Sequence, residues 1–177
     1  MKPILTLLIA AALTLSANAA EKIEGAFGFK LGDVLDLADA RLVKEDVPEP
    51  VPERFEFKPT NPNPAFASYY VWVTPNSHRI KEITAVGTFQ VPENGDFWNQ
   101  LEIICALLHR KYGSGPFPFG RDIKITQGRL IVRCYMQNRI DPKNVTVSLD
   151  YLDLDLSSQG AEETVDNHLK GADATGL

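Results

Sequence analysis

The stretch that decides the fold is FWNQLEIICALLHRKYG, residues 97–113. Phe97, Leu101, Ile104, Cys105, Leu108 and Tyr112 recur at three- and four-residue spacing while Asn99, Glu102, His109 and Arg110 take the other sides, the pattern of an amphipathic helix. Asp96 before it can accept the first free N–H groups, and Gly113 after it supplies a stop. Downstream the period changes to two. The spacing predicts strands over 123–126, 129–137 and 144–152, with Gln127-Gly128 turning the first pair and 138–143, which contains Asp141-Pro142, turning the second. Leu130, Val132, Cys134 and Met136 share one face of the middle strand. In the last run Val145, Val147 and Leu149 lie on one parity but Leu152, Leu154 and Leu156 on the other, so a bulge or strand end is expected near Tyr151.

Upstream, strands are expected over 68–74 and 80–91, joined by Pro75-Asn76-Ser77-His78-Arg79. Ile83, Ala85, Gly87, Phe89 and Val91 form the apolar face of the second, with Glu82, Thr84, Thr88 and Gln90 as its wet face. Residues 23–31 alternate as a further strand, ended by Gly32-Asp33, and Asp33 can cap a short helix to about Leu42. Between 48 and 64 six prolines remove backbone donors and imply an extended connector, with Phe55 and Phe57 lying along the protein body. The fold class is therefore α+β: an antiparallel sheet of five to six strands with one long and one short helix on one face, an order that also fits two helix–hairpin halves. One domain spans 21–156. Residues 157–177 are small and polar, either a weak helix around 161–169 or a flexible tail.

The first 20 residues stand apart. One Lys, an apolar run from Ile4 to Leu15 too short to span a bilayer, and small residues at Ala17 and Ala19 describe a secretory signal cleaved after Ala19 or Ala20. No Cys follows it to carry a lipid and no later stretch reaches spanning length, so the expected product is periplasmic or secreted, without membrane insertion after cleavage. The chain carries 18 basic and 23 acidic side chains, a formal −5; loss of one Lys leaves 17 against 23, or −6. That acidity speaks against nucleic acid as a partner.

Cys105 on the helix stripe and Cys134 on the inward strand face would meet if helix packs on sheet, and in an exported protein that pair is expected to form a disulfide. Enzyme signatures are incomplete. Gly113-Ser114-Gly115 lacks the frame of a nucleophile elbow, no Gly-rich segment cradles a phosphate, and His78, His109 and His168 are too scattered for zinc, so neither cofactor nor metal is expected. Asp33, Asp36 and Asp39 lack calcium-loop spacing. Asp150, Asp153 and Asp155 form an acidic cluster that could serve acid–base chemistry, although charges alternating with leucines more commonly mark a wet strand face. Tyr70 and Trp72 on the first hairpin strand, and Phe117 and Phe119 in the stiff loop 115–120, are candidate interface aromatics.

The segments GFKLGD (28–33), YYVWVTP (69–75) followed by IKEI (80–83), LLHRKYG (107–113) and YLD (151–153) resemble a loose family of uncharacterised bacterial secreted or periplasmic proteins, over roughly residues 25–156. The resemblance implies export and the α+β order, with no assigned activity. The reading that follows is a non-catalytic secreted or envelope-associated module that binds another envelope or extracellular protein. The alternatives are an inhibitor of an exported enzyme, or a hydrolase using Asp150, Asp153 and Asp155.

Overall fold

The segments that alternate in hydropathy join one antiparallel sheet in the computed structural model, which describes residues 20–43, 53–90, 96–114, 122–137 and 144–171. In chain order the elements are β1 (Gly25–Ala26), β2 (Phe29–Lys30), β3 (Arg54–Glu56), β4 (Ser68–Val73), β5 (Ile80–Gln90), α1 (Asp96–Tyr112), β6 (Ile123–Gln127), β7 (Leu130–Met136), β8 (Asn144–Asp153) and α2 (Leu154–Gly171). β1 pairs only with β2; the other six strands run β3-β4-β5-β8-β7-β6. Each half is thus three consecutive strands followed by a helix, and the halves meet along β5 and β8. The repeated unit is a three-strand meander with its helix last, not a helix followed by a hairpin.

One sheet face is the core. Tyr69, Val71, Ile83, Ala85, Val132, Cys134, Val145, Val147, Leu149 and Tyr151 are buried there, against Leu101, Cys105, Leu108 and Tyr112 of α1. The Tyr112 and Tyr151 rings meet edge-on at 6.0 Å. Burying each such side chain stabilises the fold by about 1.5–3 kcal/mol before conformational entropy is charged. Gln127 clips the layers together: its amide donates to the Glu21 carbonyl at 2.7 Å and the Tyr112 carbonyl at 3.0 Å, and its oxygen accepts the Ile23 N–H at 2.9 Å.

The amino-terminal region departs from its periodicity twice. Residues 23–31 are a hairpin, because Phe27 (φ 54°) and Gly28 (φ 90°) turn the chain back on itself. Positive φ is costly for Phe, and what holds it is its ring, 5.0 Å from Tyr69 and 6.3 Å from Tyr151. The expected helix after Asp33 does not form. Asp36 and Asp39 bind the N–H groups of Ala38 and Arg41, two residues on, which competes with helical bonding. The backbone instead pairs with β5 and the turn before it: Gly32 N–H donates to the Ile80 carbonyl, Ile80 N–H to that of Asp33, and Leu35 N–H to that of His78.

Phe55 (7% exposed) and Phe57 (1%) lie along the core as expected, with β3 as an edge strand. β8 keeps its register with β5 and β7 through Leu152, so no bulge interrupts it; the change of phase marks the passage from strand to helix at Leu154. Of the two readings of 157–177, the helix is the one found, and it is longer than expected: α2 covers Leu154–Gly171 in place of a flexible tail. α2 docks by polar contacts on the β4–β5 turn and on Glu53, just before β3: Glu163 accepts the Asn76 N–H at 2.9 Å, Asn167 donates to Asn76 at 3.0 Å, and Thr164 donates to Glu53 at 2.9 Å. Gly160 lets α2 close over Thr74 and the Lys81 side chain. Residues 1–19 of the expected signal, the prolines at 48–52, the expected turn at 138–143 and the segment holding Phe117 and Phe119 lie outside the described residues. Among the described residues no helix is long and apolar enough to cross a membrane.

Candidate functional site

Strand alternation sends every second side chain to the sheet face opposite α1. The pairing register aligns these residues in rows: Arg54, Trp72, Glu82, Leu152 and Ile131 across one, Tyr70, Thr84, Asp150, Arg133 and Lys124 across the next, and Val86, Ser148 and Tyr135 across a third. Between them lies a groove of about 350 Å³ lined by Arg54, Tyr70, Trp72, Glu82, Thr84, Val86, Tyr135, Gln137, Ser148 and Asp150. A shallower hollow of about 260 Å³, lined by residues that include Asp122, Lys124, Arg133 and Tyr135, continues toward β6.

The floor is ionic. Asp150 is 1% exposed; it accepts the Ser148 hydroxyl at 2.6 Å and Arg133 Nε at 2.8 Å. Arg133 also reaches Glu82, Nη2 to Oε1 at 3.8 Å, and Thr84 donates to the same Glu82 oxygen at 3.2 Å. Burial, then the negative charge of Asp150, pushes the Glu82 carboxyl above its usual range, with Arg133 pulling the other way. Burial disfavours the Arg133 charge, but Asp150, with Tyr135 and Glu82, outweighs this and holds the guanidinium above its ordinary value. The Tyr135 phenol is raised too, by burial and then by Asp150. Among the described residues no buried side-chain nitrogen or oxygen lacks a partner, so the floor is a closed, rigid network.

The wall is aromatic. Arg54, on the edge strand, lays its guanidinium 5.0 Å from the Tyr70 ring centre and 5.5 Å from that of Trp72, and Arg133 lies 5.0 Å from the Tyr135 ring. Tyr70 and Trp72 are half-buried, presenting ring surface to the groove.

Of the candidate residues, the structure brings Tyr70, Trp72 and Asp150 together and separates the acidic cluster. Asp153 points to the other face of β8 and is fully buried; it accepts Arg129 Nε at 3.0 Å and the N–H groups of Asp155 and Leu156 at 3.1 and 3.3 Å, which makes it the N-cap of α2. Asp155 is exposed on the first turn of α2. Alternation and the strand-to-helix turn thus send the three carboxylates in three directions, and the hydrolase reading loses its cluster. Glu82 and Thr84, expected to be wet, are largely withdrawn from water. Arg54, Arg133, Tyr135 and Ser148 are site residues that no linear motif marks; the usable signal is polar residues at alternate positions on β5, β7 and β8 together.

Cys105 and Cys134 are fully buried and close enough to hydrogen-bond, but they are free thiols here, so the expected disulfide is not formed in this structure. Hydrogen bonding to Cys105, then burial, holds the Cys134 thiol protonated far above its usual range. His78, His109 and His168 stand on a turn, α1 and α2. Comparison with protein-family models, with curated proteins and with solved structures finds no match to this chain.

Proposed function

We propose that the protein is an exported, non-catalytic binding module of the cell envelope or secreted fraction, and that the outer-face groove is its binding surface. The observation that carries this reading is the juxtaposition of the Arg54–Tyr70–Trp72 stack with the Glu82–Arg133–Asp150 network in one groove. Rigid aromatics beside satisfied charges suit recognition, because little conformational entropy is lost when a partner seats. Chemistry is the weaker use of this floor: Asp150 already bonds Ser148 and Arg133, and so lacks the freedom of a general base.

Export rests on the 1–20 segment and accords with the cysteine pair. We propose that after export Cys105 and Cys134, buried in one core cluster, exchange with a disulfide of an oxidant in the new compartment, which leaves as two thiols as the Cys105–Cys134 bond forms.

Co-sedimentation of the mature protein with isolated cell envelopes tests the binding reading. Trp72→Ala is expected to reduce the sedimented fraction at least tenfold, whereas Ile103→Ala/Leu107→Ala on the exposed side of α1 is expected to leave it unchanged. Retention that depends on the α1 pair and not on Trp72 would place the binding surface elsewhere.

A further inference from the structure

The groove's own chemistry selects a class of ligand, and this step rests on the groove being the binding surface. We infer that it binds a neutral saccharide, with Tyr70 and Trp72 as the stacking platform and the accessible Arg54, Glu82, Tyr135 and Gln137 side chains as the polar groups that meet its hydroxyls.

Charge comes first. The lining holds one guanidinium group, Arg54, and two carboxylates, Glu82 and Asp150, and Arg133 on β7 pairs with both carboxylates, so the charges balance. An anionic ligand meets the carboxylates and a cationic one meets the guanidiniums; in a partly desolvated site each like-charge contact is unfavourable. A neutral ligand meets neither penalty.

Hydrogen-bonding capacity narrows the class further. The groove presents an acceptor in Glu82, donors in Arg54, and groups that do both in the Tyr135 hydroxyl and the Gln137 amide. A ligand complementary to this mixture carries many groups that donate and accept, which describes a polyol. The aromatic pair adds the last requirement, an apolar face. Tyr70 and Trp72 sit two residues apart on β4, so their rings project from the same face about 7 Å apart along the strand. Sugar rings combine hydroxyl edges with C–H faces that stack on such rings.

Arg54 lies over these rings in the unliganded protein, but it is exposed and on an edge strand, so it can swing aside and donate to a ligand hydroxyl. A volume of about 350 Å³ is near the small end of ligand sites and suits a short oligosaccharide.

The test is calorimetric titration of the full mature chain with cellohexaose, chitohexaose and maltohexaose, beside a heparin hexasaccharide and a hexa-lysine peptide as charged comparators. At least one neutral hexasaccharide is expected to bind, to keep its affinity within twofold between 0.05 and 1 M NaCl, and to lose at least tenfold in Trp72→Ala. Circular dichroism confirms that the variant is folded, and Tyr70→Phe, which keeps the ring, is expected to retain binding. Binding of a charged comparator alone, or of no neutral hexasaccharide, overturns the inference. If neutral sugars fail while envelope retention still depends on Trp72, the groove reading stands and only the saccharide assignment falls; if retention is independent of Trp72, the groove reading itself falls.

Discussion

Replacing Asp153 by Ala should unfold the protein more easily by about 2 kcal/mol, and the reason lies at the start of α2. The carboxylate is fully buried, and one of its oxygens accepts the N–H groups of both Asp155 and Leu156. Loss of an N-cap of this kind costs about 1 kcal/mol. The anion also sits at the positive end of the helix dipole, which contributes about 0.5 kcal/mol. Its ion pair with Arg129, whose side chain is 59% exposed, adds at most about 1 kcal/mol because water screens it. Asp153→Asn separates these contributions: the amide oxygen still caps, so only the dipole and ion-pair contributions, together at most about 1.5 kcal/mol, should be lost. Urea unfolding followed by far-ultraviolet circular dichroism measures both, with the native-state helical signal reporting whether α2 frays. If Asn costs as much as Ala, the charge and not the cap is what matters; if Ala costs less than about 0.5 kcal/mol, the cap is not holding α2 to β8.

Three further outcomes are expected. The folded-state pKa of Glu82 is raised, so its ionisation weakens the fold as pH climbs above the ordinary carboxylate range; Glu82→Gln should match wild type at low pH and become progressively more stable than it toward pH 7, and a constant difference across pH would refute this. For the cysteine pair, thiol titration of the denatured, unreduced exported protein should find none reactive, and reduction should lower stability by about 3.5 kcal/mol for a loop of this length; two reactive thiols per chain would contradict the disulfide. Gly87 lies on the core face, where an added Cβ would meet the Ala65 carbonyl and the Phe89 ring, so Gly87→Ala should cost about 1–3 kcal/mol by overpacking, and an unchanged thermal midpoint would show that Ala65 can yield.

What the sequence discloses and what it conceals divide along a physical line. The α1 stripe and the core faces of β4, β5, β7 and β8 are legible because burial of apolar side chains imposes a local period. α2 is only partly legible, as the helix alternative around 161–169, because its anchors are polar, Glu163, Thr164 and Asn167 against Asn76 and Glu53, while Leu154, Val165 and Leu169 face solvent. The 33–42 segment misleads because Asp36 and Asp39, acceptable near a helix start, can equally close side-chain turns on their own backbone. The groove is hidden for a topological reason. Glu82, Asp150 and Arg133 look like unrelated wet positions until the order β5-β8-β7 sets them side by side. Parity alone, however, already forbids Asp150 and Asp153 from sharing a strand face, a constraint readable before any coordinates.

The central claim, that the outer sheet face is where a partner seats, is tested most directly by site-specific photocross-linking. A benzophenone amino acid placed at Tyr70, and separately at Ile103 on α1 as a control, is irradiated in the mature protein bound to isolated envelopes. A partner in the groove gives a discrete adduct from position 70 that Trp72→Ala abolishes, and none from position 103. An adduct from position 103 alone, or one from position 70 that is insensitive to Trp72, would contradict the claim.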